Sequence, residues 1–328
     1  MTKWGAEALW EQLEPLLPGL SIEVLPSCSS TNTVLLDRAR GTAIETDAEG
    51  TVMVRRSVES AAFGRRQIDV LPCLLVAEEQ IAGRGRQGRQ WHAEPGSSLT
   101  FSLALPLAMS DWSGLSLAIG VALCEALAPA PSLPSANAPG ALRLGLKWPN
   151  DLWLMDAPAT RSPGTAATGR KLGGILIETV ASGSARLAVI GIGLNVLPVD
   201  AQAASSGVAS VQELDSDTPT SAPATLARIA LPLVQALKLF EQQGFAAFAE
   251  RFAALDVLRG QPVHTTQRDV AEGVACGVSP QGALLVRTNA GVQQVASGEV
   301  SVRPAGASVT AASAAAVSRP LPPRQAPS

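Results

Sequence analysis

The chain has 328 residues, 46% of them hydrophobic, and a formal net charge of −3 from 25 Lys and Arg against 28 Asp and Glu. That is enough apolar material for a sizeable core, and it gives no general electrostatic reason to bind nucleic acid or an acidic membrane. Four cysteines (Cys28, Cys73, Cys124, Cys276) form no C-x-x-C pair and only His92 and His264 could join them, which argues against a zinc site. With no signal peptide in view, reduced thiols in a cytoplasmic protein are expected.

In chain order, Trp4, Leu9, Trp10, Leu13 and Leu17 recur at a helical period and stop at Pro18-Gly19, predicting one packing helix within residues 1–20. A DNA-binding helix-turn-helix needs several helices, and this segment is too short to supply them. Ile22–Leu25 reads as a strand. Ser29-Ser30-Thr31-Asn32 follows, where a hydroxyl can cap a helix running to about Arg40. Residues 41–70 are polar without sustained period and read as an insertion. Cys73–Ala77 is an apolar strand, Leu99–Leu105 another, and 113–128 a helix. The apolar run Leu115 to Ala130 is broken by Ser116, Gly120, Cys124 and Glu125 and falls short of the ~20 residues a bilayer crossing needs, so it reads as buried core.

Segments 131–141 and 156–169, rich in small and breaker residues, read as surface loops. Strands at 143–148, 151–155, 171–179 and 186–192 complete a mixed β-sheet, giving an α+β domain over 21–257. Residues 222–255 are helical, broken near Gly244, with Leu226, Ile229, Leu233, Leu237, Phe240, Phe245, Phe248 and Phe252 spaced to pack on a sheet. Beyond Gly260-Gln261-Pro262 the texture turns to short β segments, with turns at Pro280-Gln281-Gly282 and Asn289-Ala290-Gly291. That predicts a small β-barrel at 258–304. Residues 305–328 are too polar and too rich in breakers to fold.

The chemistry concentrates in a few places. Gly83-Arg84-Gly85-Arg86-Gln87-Gly88-Arg89 alternates the most permissive backbone residue with planar, permanently charged forks that match carboxylate or phosphate oxygens. A flexible tract contacting RNA is the other use of such a run, but this one is wedged between two apolar strands. Downstream come Lys147-Trp148-Pro149-Asn150-Asp151, Lys171-Leu172-Gly173-Gly174-Ile175-Leu176-Ile177-Glu178 and Gly191-Ile192-Gly193-Leu194-Asn195. Pro149 disfavours helix at Trp148 and forces a turn. An amide and a carboxylate at Asn150 and Asp151 suit Mg²⁺, which takes oxygen ligands beside ATP phosphates. Taken singly, Ser30-Thr31-Asn32 is an N-cap, Gln80 a surface residue, Lys171 a lysine at a strand start and Trp148 core.

The ordered set, from about Ser21 to Arg303, resembles the biotin protein ligases, in a short form without the N-terminal DNA-binding domain. The resemblance implies a biotin/lipoate ligase-like fold and two half-reactions: biotin plus ATP gives biotinyl-5'-AMP, and a lysine of a biotin carboxyl carrier protein then takes the biotinyl group. It implies biotin contacts from Ser30, Thr31, Asn32, Gln80, Arg84, Gly85, Arg86 and Lys171. ATP contacts would come from Arg86, Arg89, Trp91, Lys147, Asn150, Asp151 and Asn195, and Asp151 would be the Mg²⁺ ligand. Lys171 and Arg86 are the expected catalytic cations. Where some members set an aromatic against adenine, within 205–215, this chain offers Val208. No DNA or membrane partner is expected and a homodimer is left open. A lipoate or octanoate ligase of the same superfamily is the alternative, and a nucleic-acid-binding regulator a more distant one.

Overall fold

The computed structural model describes residues 2–40, 71–109, 111–128, 142–155, 169–182, 185–198, 207–215, 217–296 and 303–304. The insertion expected at 41–70, the loop at 131–141, all but the last residue of the loop at 156–169, and the tail at 305–328 lie outside these.

The main sheet is built from β1 (Ser21–Leu25), β2 (Cys73–Ala77), β3 (Ser98–Pro106), β4 (Arg143–Lys147), β5 (Asp151–Met155), β6 (Gly169–Ser182) and β7 (Ala185–Asn195). Its seven strands run in the order β1-β2-β3-β7-β6-β5-β4. β1 and β2 are parallel and every other pair is antiparallel, so the mixed sheet expected from sequence is present.

Alternation along the central strands decides what each face does, because successive side chains of a strand point to opposite sides. In β3, Leu99, Phe101, Leu103 and Leu105 join the large core, while Ser98, Thr100 and Ser102 alternate with them. In β7, Ala188, Ile190, Ile192 and Leu194 enter the same core, and Gly191, Gly193 and Asn195 fall on the other side. The apolar face is covered by α3 (Leu115–Leu127) and α4 (Ala222–Gln243), with α1 (Ala6–Leu13) against α4. The polar and small-residue face carries α2 (Thr31–Ala39), whose Val34, Leu35, Leu36 and Ala39 form a second, smaller core with Leu75, Ala77 and Val189.

α1 is shorter than the 4–17 period suggested. It stops at Leu13, and Leu17 reaches the core through turns that follow it. α4 ends at Gly244 (φ 63), and a 3-10 turn over Gly244–Phe248 leads into α5 (Ala249–Leu255), as the break near Gly244 predicted. By length and composition alone, Ala222–Leu255 could cross a membrane. Here Leu226, Ile229, Leu233, Leu237, Phe240, Phe245, Phe248 and Phe252 are instead spent on the protein core.

The C-terminal region forms a second sheet from β8 (Pro262–His264), β9 (Glu272–Val278), β10 (Leu284–Thr288), β11 (Gly291–Val295) and β12 (Arg303–Pro304), in the order β11-β10-β9-β8-β12. The two predicted turns join β9 to β10 and β10 to β11. The closed barrel is not found: among the described residues β11 and β12 are the outer strands of an open sheet. Closure would need a ladder between them, and among the described residues β12 pairs with β8 alone. Val263, Ala275, Leu284, Val286 and Val295 join the main core, so one hydrophobic interior runs through both sheets.

Candidate active site

The site develops on the polar face, where α2, the Arg-Gly loop and the ends of β5, β6 and β7 meet. Ser30 occupies the N-cap of α2 with extended backbone (φ −161, ψ 135), but its hydroxyl makes no capping bond, contrary to the expected cap. A distant residue meets the helix start instead. Thr31 donates its backbone N–H to Gln80 Oε1 at 2.7 Å and its hydroxyl to the same oxygen at 3.1 Å. Gln80 is therefore tied to the helix N-terminus, consistent with the unsatisfied N–H groups that every helix start presents.

Ser102 continues the network, donating to Thr31 Oγ1 or Asn32 Oδ1, each 2.6 Å away. The Asn32 amide donates to Leu176 O at 3.2 Å and Glu178 Oε2 at 3.0 Å. Glu178 Oε1 in turn accepts from Arg84 at 2.7 Å, and Arg84 also donates to Thr33 Oγ1 at 3.1 Å. Thr31, Asn32, Gln80 and Arg84 thus belong to one connected array. Two of its members, Ser102 and Glu178, were not singled out from sequence. Ser102 was legible as the third polar residue of an alternating Ser98-x-Thr100-x-Ser102 strand, and Glu178 as the carboxylate closing the KLGGILIE motif.

Glycine makes room for this packing. A Cβ on Gly191 would lie 2.3 Å from Asn32 Oδ1, and one on Gly193 would lie 2.5 Å from Trp91 Cε2. The loop itself departs from expectation: Gly85 has extended backbone (φ −112, ψ −179), and the left-handed positions are Gln87 (φ 56) and Gly88 (φ 71). Gly83 is needed for closeness, because a Cβ there would meet Trp91 O at 2.4 Å.

At the other end of the site, Arg86 donates to Asn150 Oδ1 at 3.2 Å, and Asn150 donates to Ile175 O at 2.7 Å. A second guanidinium nitrogen of Arg86 is buried with no hydrogen-bond partner among the described residues. Burial pushes the Arg86 pKa down from its ordinary value; Asp151 opposes the shift and Arg89 adds to it. A partly buried cation with one buried, open donor is disposed to accept an anion.

Lys171 is not at a strand start: it is the third residue of β6, opposite Trp153 of β5. Its N–H donates to Gly207 O and its carbonyl accepts from Ala209, so residues 207–209 run beside it with Val208 bridged to it. The Lys171 ammonium donates to Asp151 Oδ1 at 2.8 Å and lies 5.7 Å from the Trp91 ring centroid. Trp91 Nε1 is buried without a partner among the described residues. Gly174 keeps the backbone beside this pair low: a Cβ there would be 3.3 Å from both Asp151 Oδ1 and Lys171 Nζ.

Lys147 faces Asp151 across the hairpin, with its ammonium 4.2 Å from the Trp153 ring centroid. Asn195 is buried and donates to Ala209 O at 3.2 Å and Lys171 O at 3.4 Å, bracing backbone. Arg89 is exposed, at the outer end of the loop. Arg86, Trp91, Asn150, Asp151 and Lys171 are therefore gathered, while Asn195 supports them from beneath. Asp151 offers one carboxylate, and among the described residues no group of three or more acidic, His or Cys side chains could cage a metal.

The arrangement is one array of hydrogen-bonding groups joined to a set of cations, on an α+β sheet. A model described as the biotin/lipoate A/B protein ligase family matches residues 71–195, and one described as the biotin protein ligase C terminal domain matches residues 259–303. The bifunctional ligase/repressor BirA of Escherichia coli is 33% identical over 303 residues, covering 90% of this chain and 78% of that protein. The biotin--[acetyl-CoA-carboxylase] ligase of Paracoccus denitrificans is 30% identical over 231 residues, 69% of this chain and 88% of that one. The fold is that of the Aquifex aeolicus biotin protein ligase solved with biotin and ATP (TM-score 0.61, 22% identity, 87% of this chain and 99% of that chain). The chain belongs to the biotin protein ligase family.

Proposed function

We propose that the two ends of this site divide the work of a biotin ligase between them. The protein activates biotin with ATP and transfers it to a carrier protein. In the first half-reaction a biotin carboxylate oxygen attacks the α-phosphorus of ATP, the bond to the β-phosphate oxygen breaks, and pyrophosphate leaves. In the second, a lysine amine attacks the acyl carbon of biotinyl-5'-AMP and AMP departs. The reading takes the acceptor to be a lysine of a carboxylase's biotin carboxyl carrier domain.

Thr31, Asn32 and Gln80, with Ser30 and Ser102 beside them, suit the polar ring of biotin, since they offer both donors and acceptors in fixed orientation. Arg84, Gly85, Arg86 and Lys171 would meet its carboxylate, and Arg86, Arg89, Trp91, Lys147, Asn150, Asp151 and Asn195 the nucleotide side. The main obstacle is mutual repulsion of two anions. Fixed cations aimed at the reacting oxygens lower it and need no rearrangement during the step. The observation that carries the reading is that Arg86 and Lys171, far apart in sequence, reach adjacent residues of one turn, Asn150 and Asp151, at 3.2 and 2.8 Å.

Mg²⁺ fits as an ion carried on the triphosphate, with Asp151 as its one protein carboxylate, since Mg²⁺ needs only one or two alongside phosphate and water. When bound it would neutralise phosphate charge. Lys171 meanwhile holds Asp151 in place. The biotin reading is favoured over lipoate by the match of residues 259–303 to a domain of biotin ligases. The reading also takes the protein to work in the cytoplasm, in keeping with four cysteines spread along the sequence without a C-x-x-C pair. Pyrophosphate exchange into ATP that requires biotin and is not driven by lipoate is the expected result. Exchange driven by lipoate alone would replace the reading with the alternative.

A further inference from the structure

The Lys147–Asp151 hairpin carries Asn150 and Asp151 into the site, but two of its anchors lie outside it. Trp148 is 1% exposed, and its indole N–H donates to the Gly282 carbonyl at 2.9 Å. An indole nitrogen can only donate, so once buried it must find an acceptor. Gly282 lies in the turn between β9 and β10. That turn is closed by bonds from Ser279 N to Ala283 O and from Gly282 N to Ser279 O, each 2.8 Å. Buried Ser279 also accepts at its hydroxyl from the Gln281 and Ala283 N–H groups, both at 3.2 Å.

Gly282 has φ +79, and a Cβ there would stand 2.7 Å from Gly114 Cα at the head of α3. α3 grips the hairpin as well, through Ser116 Oγ donating to Pro149 O at 2.9 Å. Trp148 and Pro149 are thus clamped, and the next two residues reach Arg86 and Lys171.

We propose that Trp148 is a positioning residue: its buried bond to Gly282 makes the seating of the C-terminal sheet part of the geometry that sets Asn150 against Arg86 and Asp151 against Lys171. The small sheet thereby governs the nucleotide end of the site. The biotin end is tied instead to α2, β2, β3 and β6. The inference rests on the ligase reading for its substrates.

The test compares Trp148→Phe, which keeps the ring and drops the donor, with Gly282→Ala, which shifts the acceptor, and with Val263→Ala. The last opens the same core on β8, away from the turn. Folding is checked by circular dichroism, and a Trp148→Phe chain that fails to fold leaves Gly282→Ala to carry the comparison. Trp148→Phe and Gly282→Ala are expected to raise KM for ATP about tenfold and lower kcat of exchange about tenfold, with a smaller rise in KM for biotin, of which only the carboxylate meets the displaced groups, since sub-ångström to ångström misplacement costs up to about 100-fold. Val263→Ala is expected to lower Tm while leaving KM for ATP within about twofold.

Wild-type ATP constants in a folded Trp148→Phe would overturn the proposal, as would an equal ATP defect in Val263→Ala, which would mark a merely structural role. If the wild type shows no biotin-dependent exchange, the ligase reading fails. Calorimetric titration with ATP alone then decides the inference: weaker binding by Trp148→Phe supports it, while equal binding, or no binding by wild type, ends it.

Discussion

Lys171 is held by neighbours from three separate stretches of sequence: Asp151 on its ammonium, Trp91 beside it, and residues 207–209 along its backbone. With its backbone fixed in β6 and its side chain on Asp151, it is preorganised for an anion. Lys171→Ala should lower biotin-dependent exchange by ~10²–10³, the usual cost of losing one charge-stabilising donor. Tm should change little, because a partly exposed ion pair contributes only about 0–1 kcal/mol. Kinetics alongside a thermal melt check this, and a variant that exchanges at the wild-type rate removes Lys171 from the chemistry. Lys171 was legible as a cation in a glycine-rich motif. Its place inside a strand was not, because Gly169 and Arg170 before it follow a run of small and breaker residues, yet they pair with Met155 and Leu154 of β5 and carry the strand back past Lys171.

Among the elements, β3 and β7 were read correctly in position but not in their division of labour. Leu99–Leu105 was expected and Ser98–Pro106 is found; 186–192 was expected and Ala185–Asn195 is found. The glycines near the end of β7, read as closing a buried strand, do continue the ladder with β3 and β6, and Asn32 of α2 and Trp91 fill the space they leave. Gly191→Ala tests this packing. Its Cβ would sit 2.3 Å from Asn32 Oδ1, so Asn32 must move off Ser102 or Glu178. Loss of one such bond, about 1–1.5 kcal/mol, corresponds to about a tenfold rise in Kd for biotin. Isothermal titration gives the answer, and unaltered affinity would separate Asn32 from biotin recognition. The mixed sheet, the helices and the two C-terminal turns were all readable from periodicity and turn residues. The open edge of the small sheet was not, since pairing between distant strands leaves no local signature.

The whole molecule joins its two sheets through one interior, and the junction carries a buried acid. Asp256, between α5 and β8, is 6% exposed and accepts from Leu258 N at 2.9 Å. Burial pushes its carboxyl above the ordinary range, against the N–H groups of Leu258 and Arg259 and the charges of Arg259 and Arg143 that hold it down. A carboxyl raised in the folded state binds its proton more tightly there than in the unfolded chain. Its contribution is therefore full below the ordinary carboxylate pKa and is lost as pH rises through the folded value. Asp256→Asn lacks that loss, so its Tm relative to wild type should climb as the pH is raised from about 4, the ordinary aspartate value, toward neutrality. Parallel melting curves across that range would contradict the assignment.

The central claim is that cations from distant segments meet so that two acids can be joined and the product handed on. The most direct measurement is mass spectrometry of a biotin carboxyl carrier domain incubated with this protein, biotin and ATP, with a carrier lacking its acceptor lysine as control. The account predicts one biotinyl group on that lysine, requiring both ATP and biotin, and none on the control. An unmodified carrier, from a folded protein supplied with both substrates, would contradict it.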